Sequence, residues 1–152
     1  MSVDFQLTKQ SNGLYDISIG PDGDFALTDN LETSVLVSFF SDARANPDQI
    51  PTPERRRGWL GDVASDVPER RYGSWLWLLS QRRLTQMTVN DAVDYAEEAL
   101  QWMIDDGLVV NVSVSGSIGA SSSIVLQVTL DTLEGVTSTT YVTLWERTVD
   151  AN

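Results

Sequence analysis

The chain contains no histidine and no cysteine. The first absence removes every serine–histidine and cysteine–histidine catalytic pair and every histidine-ligated metal. The second removes disulfides and thiolate metal sites. A metal or cofactor site is therefore not expected. Basic residues are scarce as well. Ten lysines and arginines stand against 22 acids, for a formal charge of −12 and a sequence pI near 4.1. A surface so acidic does not suit nucleic acid, whose phosphates need basic partners. No apolar run approaches the roughly 20 residues of a membrane span. The opening MSVDFQLTKQ has neither a charged n-region nor an apolar h-region, so no signal peptide is expected.

What is present bounds the chain to one ordinary domain, residues 1–152. Its 41% hydrophobic content is enough for a core. The basic residues are also concentrated. Residues 53–84 hold seven of them, Arg55, Arg56, Arg57, Arg70, Arg71, Arg82 and Arg83. Four acids share this window, giving it a local charge of +3. Three of the 5 tryptophans, Trp59, Trp75 and Trp77, lie in it too. Arginine interleaved with tryptophan is the composition favoured at the buried centre of protein interfaces. Three readings compete for the arginines: a solvated loop, pairing with the chain's own acids, and contact with a partner.

Periodicity predicts an α+β fold. Residues 15–20 and 24–28 read as a hairpin around the turn Gly20-Pro21-Asp22-Gly23, with 4–7 beside it. Asp29 and Glu32 form a capping-box-like start to a first helix. Its apolar face is Leu31, Val35, Leu36, Phe39, Phe40 and Ala43, and Pro47 ends it. A Pro/Arg-rich loop covers about 46–73. Gly73 and Ser74 open a second helix through Trp75–Leu79. Thr88 caps a third, with Val89, Val93, Ala96, Leu100 and Ile104 on one face and Gly107 as its stop. The period then changes to two. Val110, Val112 and Val114 make one strand, and 116–123 is a Gly/Ser-rich turn. Ile124, Leu126, Val128 and Leu130 mark a second strand. A third runs over 139–148, with Tyr141 and Trp145 on one face and Val142 and Leu144 on the other. This is an N-terminal β-hairpin, three helices and a C-terminal three-stranded antiparallel meander packed against the helices.

Chemistry-bearing motifs are weak. Asp22, Asp24 and Asp29 lack the spaced oxygen set of a calcium loop and serve as turn and cap. The glycine-rich 116–123 has no lysine and does not lead into a helix, so it is a hairpin tip rather than a phosphate loop. Glu54 and Glu69 flank the arginines without any other catalytic group. No enzyme is expected.

The strings GDFALTDNLETSVLVSFFSDARA, RRGWLGD, GSWLWLL and AEEALQWMIDDG together resemble the Mu-type phage baseplate protein family, from about residue 16 to 107, with a looser tail to Trp145. The order of elements is also similar to the wider gene-25-like wedge and sheath-initiator proteins of contractile tails, an analogy of topology. The resemblance implies a structural protein of the inner baseplate, assembled in the host cytoplasm and carried in the virion. It implies packing on other wedge proteins and on tail sheath and tube-proximal subunits, in multiple copies around a ring, with no cofactor, nucleic acid or membrane. The residues in the matching strings are Arg56, Arg57, Gly58, Trp59, Gly61, Asp62, Gly73, Ser74, Leu76 and Trp77. The candidate partner contacts are Arg55, Arg56, Arg57, Trp59, Asp62, Arg70, Arg71, Trp77, Tyr141 and Trp145. Arg56, Arg57 and Trp59 are expected to matter for assembly more than for folding. The alternatives are a small carboxylate-based tail-associated hydrolase and a free-standing acidic binding module.

Overall fold

A computed structural model describes residues 4–11, 14–28, 31–58, 62 and 72–145. By their internal contacts the residues fall into two compact units, Met1–Val37 and Ser38–Asn152.

In the first unit the chain folds over itself three times. Strand β1 (Asp4–Phe5) pairs antiparallel with β4 (Leu27–Thr28), and β2 (Leu7–Lys9) with β3 (Tyr15–Ile17). Gln6 joins the two pairs. Its N–H donates to Ala26 O and its carbonyl accepts from Ser18, both at 2.8 Å. The expected turn is there. Gly23 N–H donates to Gly20 O, and Ile19 bridges Phe25. The 4–9 segment thus pairs with both arms of the expected hairpin. Phe5 and Phe25 meet edge to face at 5.4 Å. Burial, and then the charge of Glu32, push the Tyr15 phenol above its ordinary value. Helix α1 (Glu32–Phe40) begins in this unit, where Thr33 Oγ1 donates to Phe5 O. The proposed cap Asp29 lies outside the described residues.

The second unit is built on α2 (Gln86–Asp105) and the sheet β5 (Val109–Ile118), β6 (Ile124–Thr132) and β7 (Thr137–Leu144), in spatial order β5-β6-β7. Thr85, in extended conformation, caps α2 by accepting from Thr88 N–H at 3.3 Å. The cap therefore sits three residues before the expected Thr88. Thr88 instead turns its hydroxyl back onto Arg83 O. At the other end Gly107 N–H donates to Ile104 O and Leu108 N–H to Met103 O, the paired bonds of a Schellman stop.

The buried residues of α2 are Thr88, Val89, Ala92, Ala96, Ala99, Leu100 and Met103. Three are alanines, so the helix can lie close to the sheet. Gly116 of β5 completes that approach. A Cβ there would come within 2.9 Å of Val89 Cγ1 and Val93 Cγ2. The expected hairpin tip at Gly116 is thus a strand interior, and the tip is the shorter Ala120–Ser122 turn. On β6, the central strand, Ile124, Leu126, Val128 and Leu130 are all at most 2% exposed. Opposite them lie Leu144, Val142, Thr140 and Ser138 of β7. A bulge at Val110 resets β5. Val109 is buried, Val110 is 58% exposed, and the alternation continues from Asn111. The other face of the sheet is polar, with Ser113, Thr129 and Thr139 in one cross-strand row and Ser115, Gln127 and Tyr141 in the next.

The expectation of three helices is corrected. The described residues contain two α-helices, and 74–79 is a single 3-10 turn, Leu76–Leu79. The apolar composition is real, since Leu76 and Leu79 are buried. Its backbone is committed elsewhere: Ser74 O, which an α-helix would offer to Leu78 N–H, accepts from Ala43 N–H, and Leu78 N–H bonds to Trp75 O instead.

Leu100 and Gly116 test this packing. Leu100→Ala should cost about 2–5 kcal/mol. Gly116→Ala should cost about 1–3 kcal/mol through overpacking, while Ser115→Ala on the polar face should stay within roughly 0.5 kcal/mol. Reversible urea denaturation reads all three. Equal midpoints for the last two would contradict the close helix–sheet approach.

Candidate partner-contact surface

The strip after α1, residues 41–46, pairs with no regular strand among the described residues, yet its backbone groups need partners. Residues 73–77 supply them. Ser74 N–H donates to Ser41 O at 2.8 Å, and Ala43 N–H donates to Ser74 O at 3.0 Å, a short parallel bridge. The buried Ser74 hydroxyl donates to Phe39 O at 2.7 Å. Trp75 Nε1 donates to Arg44 O at 3.0 Å, and Trp77 Nε1 to Ala43 O at 2.9 Å. Gly73, at φ +95, is needed for this approach, because a Cβ there would stand 2.4 Å from Ser41 O.

The arginines fasten the loop to the same strip. Ala45 N–H donates to Arg56 O at 2.9 Å. The Arg44 guanidinium donates to Arg57 O and Pro53 O, at 3.1 and 3.3 Å. Arg56, half-buried, donates to Ile50 O and Pro51 O, at 2.7 and 2.8 Å. Arg57 pairs with Asp42 at 2.7 Å and lies over the Trp77 ring, 4.6 Å from its centroid. Asp62 accepts the Tyr72 N–H on both carboxylate oxygens at 3.1 Å, holding together the two ends of 62–72.

The sequence-derived candidates therefore separate. Arg56 and Asp62 hold backbone in place. Arg57 and the half-buried Trp77 form one stacked unit with Asp42. Arg55 is exposed, and its side chain makes no hydrogen bond or ion pair with the described residues. Tyr141 is 67% exposed, on the polar face of the sheet. Trp145 does not share that face. At φ +44 it leaves the strand and lines a small recess with Leu79, Thr88, Ile124 and Leu144. Trp59, Arg70 and Arg71 lie outside the described residues.

Sequence reasoning missed a groove. Its lining includes Trp75 on one side and Tyr95, Glu98, Ala99, Trp102 and Asp105 of α2 on the other, around a volume of about 470 Å³. Trp75 meets Tyr95 edge to face at 5.7 Å, and Trp102 Nε1 donates to Ser38 Oγ at 3.0 Å. Tyr95, Glu98, Trp102 and Asp105 stand at helical steps of three and four. The signal was legible, but it lay beside the apolar face that defined the helix. Among the described residues no cluster of three or more acidic side chains is arranged to hold a metal, and no helix is long and apolar enough to cross a membrane.

Trp77→Phe keeps a ring under Arg57 but removes the N–H from Ala43 O. An unpaired buried carbonyl costs about 1–3 kcal/mol. Arg57→Ala removes an exposed ion pair worth roughly 0–1 kcal/mol and an exposed cation–π contact worth about 0.5–1 kcal/mol. Chemical denaturation should therefore find Trp77→Phe at least as destabilising as Arg57→Ala. The reverse order would mean that the indole hydrogen bond does not anchor the segment.

Comparison with known proteins places this arrangement. Residues 31–137, which run from α1 into the start of β7, match the family model described as phage protein GP46. The chain is 43% identical over 107 residues to the "Baseplate protein gp46" of Escherichia phage Mu, covering 68% of this chain and 70% of that protein. It is 33% identical over 126 residues to the "Mu-like prophage FluMu protein gp46" of Haemophilus influenzae, covering 83% of this chain and 85% of that protein.

Proposed function

Because this chain belongs to the phage GP46 family, we propose that it is a structural, non-enzymatic component of a phage tail baseplate. Within a contractile tail it occupies the inner wedge where the sheath begins. It binds neighbouring wedge proteins and sheath and tube-proximal subunits, in several copies around the ring. The observation that carries this reading is the 43% identity to a protein named for the baseplate. The family match also spans the arginine segment, α2 and the first two strands of the sheet.

Arg55, the outer side of the Arg57–Trp77 stack and Tyr141 are the described contacts we assign to partners. Exposure supports each of them. Trp59, Arg70 and Arg71 belong to the same proposal on sequence composition alone. Arg56 serves it by fixing the loop that presents Arg55, Asp62 by holding the ends of 62–72 together, and Trp145 by closing the end of β7. An arginine whose charge meets a partner carboxylate contributes orientation as well as affinity, and its removal leaves that carboxylate unpaired.

The test is complementation of a phage carrying a stop codon in this gene. Loss of the chain should leave heads without complete tails, and the wild-type gene should restore them. Arg55→Glu combined with Tyr141→Ala should give a folded chain with an unchanged melting temperature and at least tenfold fewer complete tails, since one buried charge pair is worth about 2–5 kcal/mol. Normal tails without the chain would refute the baseplate role. Normal tails with the double variant would refute the assigned contacts alone.

A further inference from the structure

The groove beside α2 has a chemistry of its own. Down one stripe of the helix an aromatic ring and a carboxylate alternate twice, as Tyr95, Glu98, Trp102 and Asp105. Trp75 forms the opposite wall, its ring fixed by the bond to Arg44 O and by edge-to-face contact with Tyr95. At about 470 Å³ the space takes one large side chain with its flanking backbone. Asp105 accepts from Gln101 and keeps a second oxygen. Glu98 is exposed and makes no hydrogen bond or ion pair with the described residues.

We infer that this groove receives an arginine-bearing segment of a different protein. A guanidinium is flat, stacks on tryptophan and tyrosine faces, and offers paired N–H groups to a carboxylate. Rings and carboxylates in one groove supply both halves of that recognition. The net charge decides between a second copy and another protein. Two chains of −12 repel, Arg56 and Arg57 are engaged with their own chain's carbonyls and Asp42, and the exposed Arg55 could reach a second copy only against that repulsion. A basic partner meets no such repulsion. The inference goes beyond the baseplate reading by naming the partner's chemistry. It is tested on the isolated chain, so its failure would leave the complementation result standing.

The probe is a blocked pentapeptide, Gly-Leu-Arg-Leu-Gly, titrated to roughly 10 mM against the labelled chain while the indole N–H resonances are followed by NMR. A single guanidinium in an open groove binds in about the millimolar range. The resonances of Trp75 and Trp102 should shift saturably. Replacing the peptide arginine by citrulline, a neutral isostere, should weaken binding roughly ten- to hundredfold, the worth of a charge-assisted hydrogen bond. Glu98→Gln should weaken it to a similar degree, and because Glu98 is exposed and bonds none of the described side chains the variant should melt as the parent does. Asp105→Asn gives a second, independent reading of the same loss. Absence of a saturable shift, or equal binding of the citrulline peptide, would overturn the inference. Concentration-dependent shifts at Trp102 without peptide would overturn it in favour of a second copy.

Discussion

The second unit's functional surface depends on one constraint, that the strip 41–46 must find hydrogen-bond partners without a regular strand beside it among the described residues. Ser74, Trp75 and Trp77 meet that need with side chains and a short parallel bridge. Much else follows from it. Docking fixes the Trp75 ring as a groove wall and the Trp77 ring as the platform for Arg57. It also takes Ser74 O away from Leu78 N–H, and the segment continues as the 3-10 turn Leu76–Leu79. Tryptophan suits this task because its single N–H sits at the rim of a large apolar body, so one side chain both fills space and satisfies a carbonyl.

The arginines follow the same logic. A concentration of positive charge in an acidic chain reads as a patch offered to partners. Within it Arg56 is used on the carbonyls of 50 and 51, Arg57 on Asp42 and Arg82 on Asp91, while Arg44, outside the window, takes the carbonyls of 53 and 57. Arginine is well fitted to this role, because its several donors can close a proline-rich loop whose own backbone offers few. The groove beside α2 in turn presents carboxylates, and a chain of −12 is steered towards basic partners.

The regular elements were legible where one periodicity dominated. Helix α2 and the three strands of the meander exist where the 3.6- and 2-residue patterns suggested, though β7 runs Thr137–Leu144 rather than over 139–148 and a bulge turns Val110 out of its row. The Gly107 stop and the Gly20–Gly23 turn were readable from residue type. The misses have physical causes. Thr85 and Thr88 can both cap, and only the extended backbone at Thr85 decides between them. Gly116 reads as a turn by composition but is a contact point for Val89 and Val93, which no local pattern reveals. The apolar 74–79 segment could not be told from a helix without knowing that the Ser74 backbone bridges to the 41–43 strip. Of the Arg/Trp window, the described Arg56, Arg57, Trp75 and Trp77 gather on the 41–46 strip. Their direction was not legible, because whether an arginine faces its own chain or a neighbour is a tertiary fact. The alternating acids and aromatics of α2 were present in the sequence but were overshadowed by the stronger apolar face.

The central claim is that this chain is a tail baseplate protein whose arginine–tryptophan segment is part of its own fold before it is part of any interface. A cryo-EM map of the purified tail at side-chain resolution tests it most directly. The account predicts density for this chain within the baseplate, with the Trp75 and Trp77 indoles still on Arg44 and Ala43 carbonyls and Arg57 still between Asp42 and Trp77. A tail without this chain, or a chain whose 53–77 segment has left the 41–46 strip to bind a neighbour, would contradict it.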